Sequence, residues 1–460
     1  MRTLATISTP QLVHLHHGKV RESFRVDDAT RLIAVTDRLS AFDKVLTTPI
    51  PLKGAALNAV SAWWFERTRD VVDNHLLRLI DPNLMLVQEA APIRVEMVVR
   101  GYLAGSMWRA YQRGQRDFWG TTLPDGLGLH SPFPEPLVTP TTKEASDRPI
   151  TAEEIVAGGW APAGQYGEME RLSRDLFRRG TELLAERGLI LVDTKYEFGT
   201  AGGGLILIDE LHTSDSSRIW DREAYRADPA GVEPLDKEFV RRWLLRAGEA
   251  GVVPDALPDD IVAETSRRYA ELCRRVTGSA PAERADDPRR RIADALVAEG
   301  LIRDGFVLIV MGSRSDMEHA RAIASALEPY DVAVLMRVIS AHKVPEAIPA
   351  LAAALNASVE PGAVIAVAGG SNGLGGALAA NLNLPVINCP PFRDQVDLLL
   401  NIGSSLMMPS RVPAMTVLRP AEAAAAALRS LNLPRLRERF SGEITEMKAS
   451  LTADDDEVRL

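Results

Sequence analysis

Four charged side chains sit in two neighbouring apolar segments and are of the types that bind a nucleotide and its metal. Asp193, Lys195 and Glu197 alternate along one segment, and Asp209 follows the apolar run of the next. A spacing of two predicts one shared face of a β-strand. Carboxylates on facing strands repel each other unless a cation lies between them, and carboxylate oxygen is a ligand that Mg²⁺ accepts.

The glycine-rich stretch 200–204 joins the two segments and permits a tight reversal of the chain. The segments are therefore predicted to pair as antiparallel strands, with Glu197 and Asp209 roughly opposite each other. A solvated hairpin that carries a surface salt bridge is the alternative, because exposed ion pairs are common.

Five separate segments carry a more specific signal, because they follow one another in a characteristic order. They are Gly18–Ser23, Thr36–Asp43, Pro92–Ser106, Asp193–Gly199 and Asp209–Arg218. Together they resemble the site segments of SAICAR synthetase, an ATP-dependent ligase of purine biosynthesis, over about residues 1 to 278. The resemblance implies ATP-grasp-type α+β domains and a reaction of CAIR, L-aspartate and ATP that gives SAICAR, ADP and phosphate.

The same resemblance assigns roles to individual side chains. Glu197 and Asp209 would hold Mg²⁺, and Lys195 would support the nucleotide as a catalytic residue. The residues assigned to ATP are Gly18, Lys19, Val20, Arg21 and Lys195. Those assigned to the ribonucleotide, the imidazole and the aspartate are Arg100, Ser106, Arg218, Asp37, Arg38, Ser40 and Asp43. A protein kinase-like phosphotransferase built on Lys19 and Glu197 is the competing interpretation, but no His-Arg-Asp or Asp-Phe-Gly motif accompanies them.

Composition limits the remaining classes. The 460 residues carry a net charge of −9, which argues against a general nucleic-acid surface. No run of eighteen apolar residues offers a membrane span, and the amino terminus lacks an apolar signal core. With Cys273 and Cys389 alone, a disulfide framework is not expected. We therefore expect a cytoplasmic enzyme acting on small molecules.

Two further patterns lie in this first part. Apolar positions recur at helical spacing over residues 167–187, which predicts an amphipathic helix that is closed by Gly188 and backs the charged hairpin. His14, His16 and His17 look like metal ligands, but no acidic or cysteine partner stands near them in the sequence. A metal site is not expected there.

A polar, proline-bearing and charge-dense stretch follows residue 278 and predicts a domain boundary. The expected organisation is a first domain over 1–278, a linker over 279–304, a second domain over 305–432 and a tail over 433–460.

The second domain shows a different pattern. Five apolar runs alternate with helical stretches, which predicts a doubly wound, Rossmann-like parallel sheet with helices on both faces. Polar clusters follow three of the runs, at 312–316, 340–343 and 369–375. In such folds ligands gather at the carboxyl ends of the strands.

Two of these clusters, Met311–Asp316 and Ser340–Lys343, resemble the AIR carboxylase and mutase family, with coverage of about residues 305 to 432. The resemblance implies that His342 transfers a proton, beside Lys343 and Asp316, and that AIR and carbon dioxide are substrates. The residues it assigns to substrate binding are Ser313, Ser315, Asp316, Ser371 and Asn372. It also implies a homo-oligomer formed through this domain.

The residues of these loops resemble the direct carboxylase branch of the family. The mutase branch usually has arginine where this chain has Lys343. Two departures keep open a mutase or a catalytically weak binding or oligomerising module. Animal carboxylases carry arginine at the positions of Gly370 and Met407. Arg314, Arg393 and Arg411 are the candidate replacements for these cations.

Overall fold

The computed structural model describes residues 2–42, 44–144, 147–248, 254–281 and 286–459. The chain divides into two compact units, Met1–Ala5 with His14–Pro288, and Thr6–Val13 with Arg289–Leu460. No helix within the described ranges is long and apolar enough to cross a membrane.

The first unit is built mainly on two antiparallel sheets. Its strands are β1 (Val13–His17), β2 (Arg21–Arg25), β3 (Thr30–Val35), β4 (Ser40–Ala41), β5 (Lys44–Val45), β6 (Leu76–Asp81), β7 (Leu84–Gln88), β8 (Ala91–Tyr102), β9 (Asp117–Phe118), β10 (Thr121–Thr122), β11 (Pro132–Val138), β12 (Thr141–Thr142), β13 (Leu189–Ala201), β14 (Gly204–Ile208) and β15 (Ser217–Asp221). One sheet has the order β1-β2-β3-β7-β6. The other has the order β11-β8-β13-β14, with β12 on β8 and β15 on β13.

Helices cover these sheets. They are α1 (Lys53–Arg67), α2 (Gly105–Gln112), α3 (Ala152–Ala157), α4 (Ala163–Ala185), α5 (Arg222–Ala227), α6 (Glu238–Ala247) and α7 (Asp259–Thr277). The helix predicted over 167–187 is confirmed as α4, which packs against β13.

Strand β13 is the centre of the second of these sheets. It pairs with β8 on one side, and its two ends pair with β14 and β15 on the other. The predicted antiparallel hairpin is confirmed, with Glu197 opposite Ile208, the residue before Asp209. Tyr196 and Phe198 point into the core beneath α4. The charged side chains of the strand therefore occupy its other face.

The second unit contains the predicted doubly wound parallel sheet. Its strands are β16 (Phe306–Met311), β17 (Ala333–Val338), β18 (Gly362–Val367), β19 (Val386–Asn388) and β20 (Met415–Thr416), and its helices are α8 (Pro288–Ala298), α9 (Met317–Leu327), α10 (Ala347–Asn356), α11 (Gly373–Asn381), α12 (Gln395–Asn401), α13 (Gly403–Leu406), α14 (Pro420–Leu431) and α15 (Pro434–Val458). All neighbours are parallel in the order β17-β16-β18-β19-β20. Alternate residues of β16 enter two separate cores, one on each face of the sheet.

Two stretches near the predicted boundaries are helical. The stretch expected to be a linker contains α8, and the stretch expected to be a tail forms α15. Residues 282–285 lie outside the described part of the chain. Ser8 forms a parallel bridge with Ser358, so that the segment Thr6–Val13 adds to the second unit.

Candidate functional site

The strand register places an arginine on each side of Asp193, the first charged residue of β13. Asp193 lies opposite Arg100 of β8 and opposite Arg218 of β15. Arg100 donates to the Asp193 carboxylate at 3.1 Å and Arg218 at 2.5 Å. Asp193 is 5% exposed, so that its charge is neutralised almost entirely by these two partners.

Two residues further along β13, a lysine joins acidic groups from three segments. Lys195 Nζ lies 2.9 Å from Glu96 Oε1, 2.5 Å from Glu197 Oε1 and 3.8 Å from Asp209 Oδ2. Glu96 and Glu197 are directly opposite in register. Like charges at such positions are destabilising unless a cation bridges them, which is what Lys195 does.

The carboxyl groups of Glu197 and Asp209 both lie within 3.8 Å of Lys195 Nζ, and each affects the ionisation of the other. Burial, together with the charge of Asp209, raises the pKa of Glu197. Burial opposes the ionisation of Asp209 as well, but the charges of Arg21 and Lys195 outweigh it and lower the pKa of Asp209 below its usual range. The pKa values of these two neighbouring carboxyl groups are therefore shifted in opposite directions. Such opposite shifts are common in catalytic and binding sites. Because Glu197 is 4% exposed, the solvated-hairpin alternative is wrong.

Two more cations complete this charged cluster. Lys143 forms an ion pair with Glu197, and Arg21 forms one with Asp209 and another, at 2.7 Å, with Glu210. The sequence singled out neither Lys143 nor Glu96, although Glu96 interrupts an apolar strand just as Glu197 does. This charged residue in an apolar strand could have indicated that Glu96 belongs to the cluster. No feature of the neighbouring sequence indicated the same for Lys143.

The donor set at Glu197 and Asp209 fits a magnesium ion. Within the described residues no three His, Cys, Asp or Glu side chains gather as a complete metal site. Two adjacent carboxylates suit Mg²⁺, which usually takes one or two carboxylates and completes its shell with water and substrate phosphates. The fit therefore requires a phosphate-bearing ligand beside these residues.

The residues assigned to the ribonucleotide lie close together. Arg100 and Arg218 share Asp193, and the guanidinium of Arg218 lies against the backbone of Gly105. A side chain at Gly105 would collide with that guanidinium, and Gly105 has a φ of 58°. Ser106 follows it, exposed, in the first turn of α2.

Three residues predicted to bind substrate are directed into the protein. Asp37 accepts hydrogen bonds from the amides of Leu4 and Gly54, at 2.8 and 2.9 Å. Ser40 accepts one from Lys237 at 3.2 Å. Arg38 contacts the backbone of the Gly18–Arg21 loop. Asp43 lies outside the described residues.

A buried charged group behind Ser40 was missed by the sequence. Lys53, which is fully buried, lies 2.8 Å from Asp215, and Tyr269 donates to the same carboxylate at 2.6 Å. Lys237 lies 3.9 Å from Asp215. Burial lowers the pKa of Lys237 to about 8, against the opposing charge of Asp215. Its members come from distant segments, and no local pattern joins them.

The histidine run requires a correction. His14 Nε2 lies 3.0 Å from Glu22, and His17 Nδ1 lies 2.8 Å from it. An acidic partner therefore does stand beside these histidines, contrary to the inference from the sequence. Antiparallel pairing of neighbouring strands, which local spacing did not reveal, brings it there.

In the second unit the three polar clusters meet at one edge of the sheet, as predicted. Met311, at the end of β16, is in register with Val338 of β17 and with Val367 of β18. The imidazole of His342 then lies against Gly373, where an added Cβ would be 2.8 Å from Nε2. The imidazole of His342 therefore packs against the backbone of the 369–375 loop at a glycine. Both His342 and Lys343 remain exposed.

Hydrogen bonds order the other two clusters. The Ser313 amide donates to Asp316 at 3.1 Å, and the Ser315 amide donates to Ser313 Oγ at 3.3 Å. Asn372 is buried and donates to Ser405 Oγ at 2.9 Å, whereas the preceding Ser371 is exposed. Ser405 was not among the predicted residues, and it anchors the loop that faces His342.

The two departures from animal carboxylases lie on this face. Gly370 has a φ of 65°, a conformation that favours glycine over arginine. Met407 is 83% exposed. Among the residues that the structure describes, Arg314 and Arg411 form no ion pair, and Arg393 pairs with Asp397 at 3.3 Å.

Comparison with known proteins supports both family resemblances, one for each unit. The SAICAR synthetase family model matches residues 14–253, slightly more than half of the chain, and the AIR carboxylase model matches residues 306–452. Similar curated proteins include the phosphoribosylaminoimidazole-succinocarboxamide synthase of Bacteroides fragilis, which is 43% identical over 60% of this chain and 91% of its own length. A putative synthase 2 of Agrobacterium fabrum is 41% identical over 64% of this chain and 96% of its own.

Among solved structures, the SAICAR-synthase of Saccharomyces cerevisiae complexed with SAICAR is 31% identical, with a TM-score of 0.54, over 62% of this chain and 99% of that one. The chain therefore belongs to the SAICAR synthetase family and carries an AIR carboxylase-family domain after it.

Proposed function

We propose that this chain catalyses two consecutive steps of purine biosynthesis. The second unit carboxylates AIR to CAIR, and the first unit condenses CAIR with L-aspartate, using ATP, to give SAICAR. The observation that carries the synthetase assignment is the charged cluster on β13, in which Lys195 lies between Glu96 and Glu197 beside Asp209.

Amide formation needs a leaving group in place of the carboxylate oxygen of CAIR. Transfer of the ATP γ-phosphoryl group to that oxygen forms an acyl phosphate and releases ADP. The aspartate amine then attacks the acyl carbon, loses a proton and expels phosphate. Such transfers depend on positioning and charge neutralisation more than on a protein nucleophile, and Lys195, Lys143 and Arg21 supply the positive charge.

Mg²⁺ bound by Glu197 and Asp209 would neutralise charge on the phosphates. Glu197 now pairs with Lys195 and Lys143, and when it holds the ion it would give up part of one of these contacts, so that the lysine would be available to the nucleotide. The Gly18–Arg21 loop would cover the phosphates. Arg21, already paired with Asp209, links that loop to the metal ligands.

The ribonucleotide occupies the surface beside Arg100, Ser106 and Arg218. Both guanidinium groups are oriented by Asp193, which leaves their remaining N–H donors in a fixed direction. A phosphate is the ligand for which such paired arginines are best suited.

In the second unit, C4 of AIR attacks carbon dioxide to form a carbon–carbon bond. A proton must then leave C4 to restore the aromatic ring, and His342 accepts it. Asp316 and the Ser313–Ser315 loop bind the substrate's ribose phosphate, together with the exposed Ser371, while the buried Asn372 supports the 369–375 loop through Ser405. Lys343, a compact cation, stabilises the new carboxylate.

Replacement of either proposed metal ligand tests the synthetase half. Glu197→Gln or Asp209→Asn should lower SAICAR formation by orders of magnitude while AIR carboxylation continues, because loss of a metal ligand removes several kcal/mol of transition-state stabilisation. The measurement is the rate of SAICAR formation at limiting magnesium.

Glu89→Gln is the matched control, because Glu89 also pairs with an arginine, Arg31, in the same unit. It should retain full activity. Near wild-type turnover by both site variants would exclude this metal site, provided that thermal unfolding shows them to be folded.

The carboxylase half is tested through its histidine. His342→Asn should stop CAIR production from AIR but spare conversion of supplied CAIR to SAICAR, because the two reactions use different units. His16→Asn, at an exposed histidine of the first unit, is the control. A parallel fall of both activities in folded His342→Asn protein would disprove the two-site assignment.

The direct carboxylase route is distinguished from the mutase route by the substrate it needs. We expect AIR and bicarbonate-equilibrated carbon dioxide to suffice for CAIR formation, without ATP, because Lys343 provides a point charge for the nascent carboxylate. Formation of CAIR is followed with and without N5-carboxyaminoimidazole ribonucleotide. Turnover only with the N5-carboxylated compound would reassign this half as a mutase.

Association of several copies through the second unit is part of the proposal. Five apolar side chains on α12 and α13 and just after them are between 61% and 83% exposed, namely Val396, Leu399, Leu400, Leu406 and Met407. Exposed apolar groups in such number mark an interface. Light scattering should show an oligomer that Leu399→Glu with Leu400→Glu dissociates and that Leu77→Glu, at an exposed leucine of the first unit, leaves intact. A monomeric wild-type chain would contradict it.

A further inference from the structure

Arg38 is 8% exposed, and all three of its guanidinium nitrogens donate to partners inside the first unit. Nε donates to the Lys19 carbonyl at 3.1 Å, and Nη2 donates to the carbonyls of Gly18, at 2.8 Å, and Arg21, at 3.5 Å. Nη1 donates to Glu22 at 2.6 Å. The side chain therefore faces the inner side of the Gly18–Arg21 loop.

Thr36 binds the one carbonyl of this loop that Arg38 does not reach. Its amide and its hydroxyl both donate to the Val20 carbonyl, at 2.9 and 2.7 Å. The Gly18 amide closes the turn on the Arg21 carbonyl at 2.8 Å. All four carbonyls of the loop are therefore held by hydrogen bonds.

The direction of these carbonyls determines the direction of the amides. In a planar trans peptide the C=O and N–H bonds point opposite ways. Because the carbonyls of Gly18 and Lys19 point towards Arg38, the N–H bonds of Lys19 and Val20 are directed away from it. Successive amides directed to one side form a concave surface that attracts anions.

We propose that Arg38 is a positioning residue that orients the Gly18–Arg21 loop for the phosphates of the nucleotide, and that it does not contact substrate. Glu22 holds Arg38 in this orientation through their ion pair. The proposal rests on the proposed function, in which this loop covers ATP. It replaces the expectation that Arg38 binds substrate directly.

Substitution by lysine keeps the charge but removes the fork that spans three carbonyls of the loop. Arg38→Lys should raise KM for ATP and Kd for ADP at least about tenfold, which corresponds to about 1.4 kcal/mol, and should leave KM for CAIR and for aspartate within about twofold. Arg31→Lys is the matched control, because Arg31 pairs with Glu89, which follows the neighbouring strand β7, and not with the loop. It should change none of these constants.

Thr36→Val provides a second test if Arg38→Lys fails to fold. It retains the shape of the side chain and the backbone hydrogen bond and loses only the hydroxyl, so that ADP affinity should fall by a smaller factor. Unchanged ADP affinity in folded Arg38→Lys, or in Thr36→Val where only that variant folds, would overturn the proposal, as would an equal rise in every substrate KM.

Calorimetric titration with ADP separates this proposal from the proposed function. If the wild-type chain binds ADP but forms no SAICAR, the proposed function is wrong. The ADP affinity of Arg38→Lys would still test whether Arg38 orients the loop. A chain that binds no ADP would overturn both.

Discussion

Burial of charged side chains along β13 is the constraint on which the first unit depends. An unpaired buried charge is too costly to tolerate, so each charged group on this strand needs partners from the strands beside it. The register provides them, with arginines beside Asp193 and acidic groups around Lys195. These ion pairs orient the side chains before any ligand arrives. A ligand that replaces one partner can therefore bind with little rearrangement.

The second unit positions its polar groups by backbone geometry instead of by paired charge. Parallel strands in register end at one edge, and the loops that follow are tied down by Asn372, Ser405 and the Ser313–Asp316 turn. Gly373 provides the flat surface on which His342 lies. His342 consequently stays exposed to solvent, which suits the proton transfer that we propose for it.

Local periodicity was sufficient to predict the hairpin of β13 and β14, the helix behind it and the parallel sheet, because the apolar pattern of each segment follows from the surfaces that it buries. The directions of Asp37, Arg38 and Ser40 were not predictable, since a motif residue that supports a site and one that touches a ligand have the same type. Contacts such as Lys53 with Asp215 join segments far apart in the chain. Only the folded chain brings them together, which is also why Glu22 was missed beside His14 and His17.

In the proposed synthetase site, Glu197 and Asp209 hold the metal that neutralises the phosphates of ATP. Anomalous diffraction from crystals of the intact chain with Mn²⁺ and a non-hydrolysable ATP analogue tests it most directly. We expect a manganese peak between these two carboxylates, with the phosphates of the analogue bound to the same ion. A nucleotide bound with its manganese elsewhere, and with Lys195 still paired to Glu197, would contradict it.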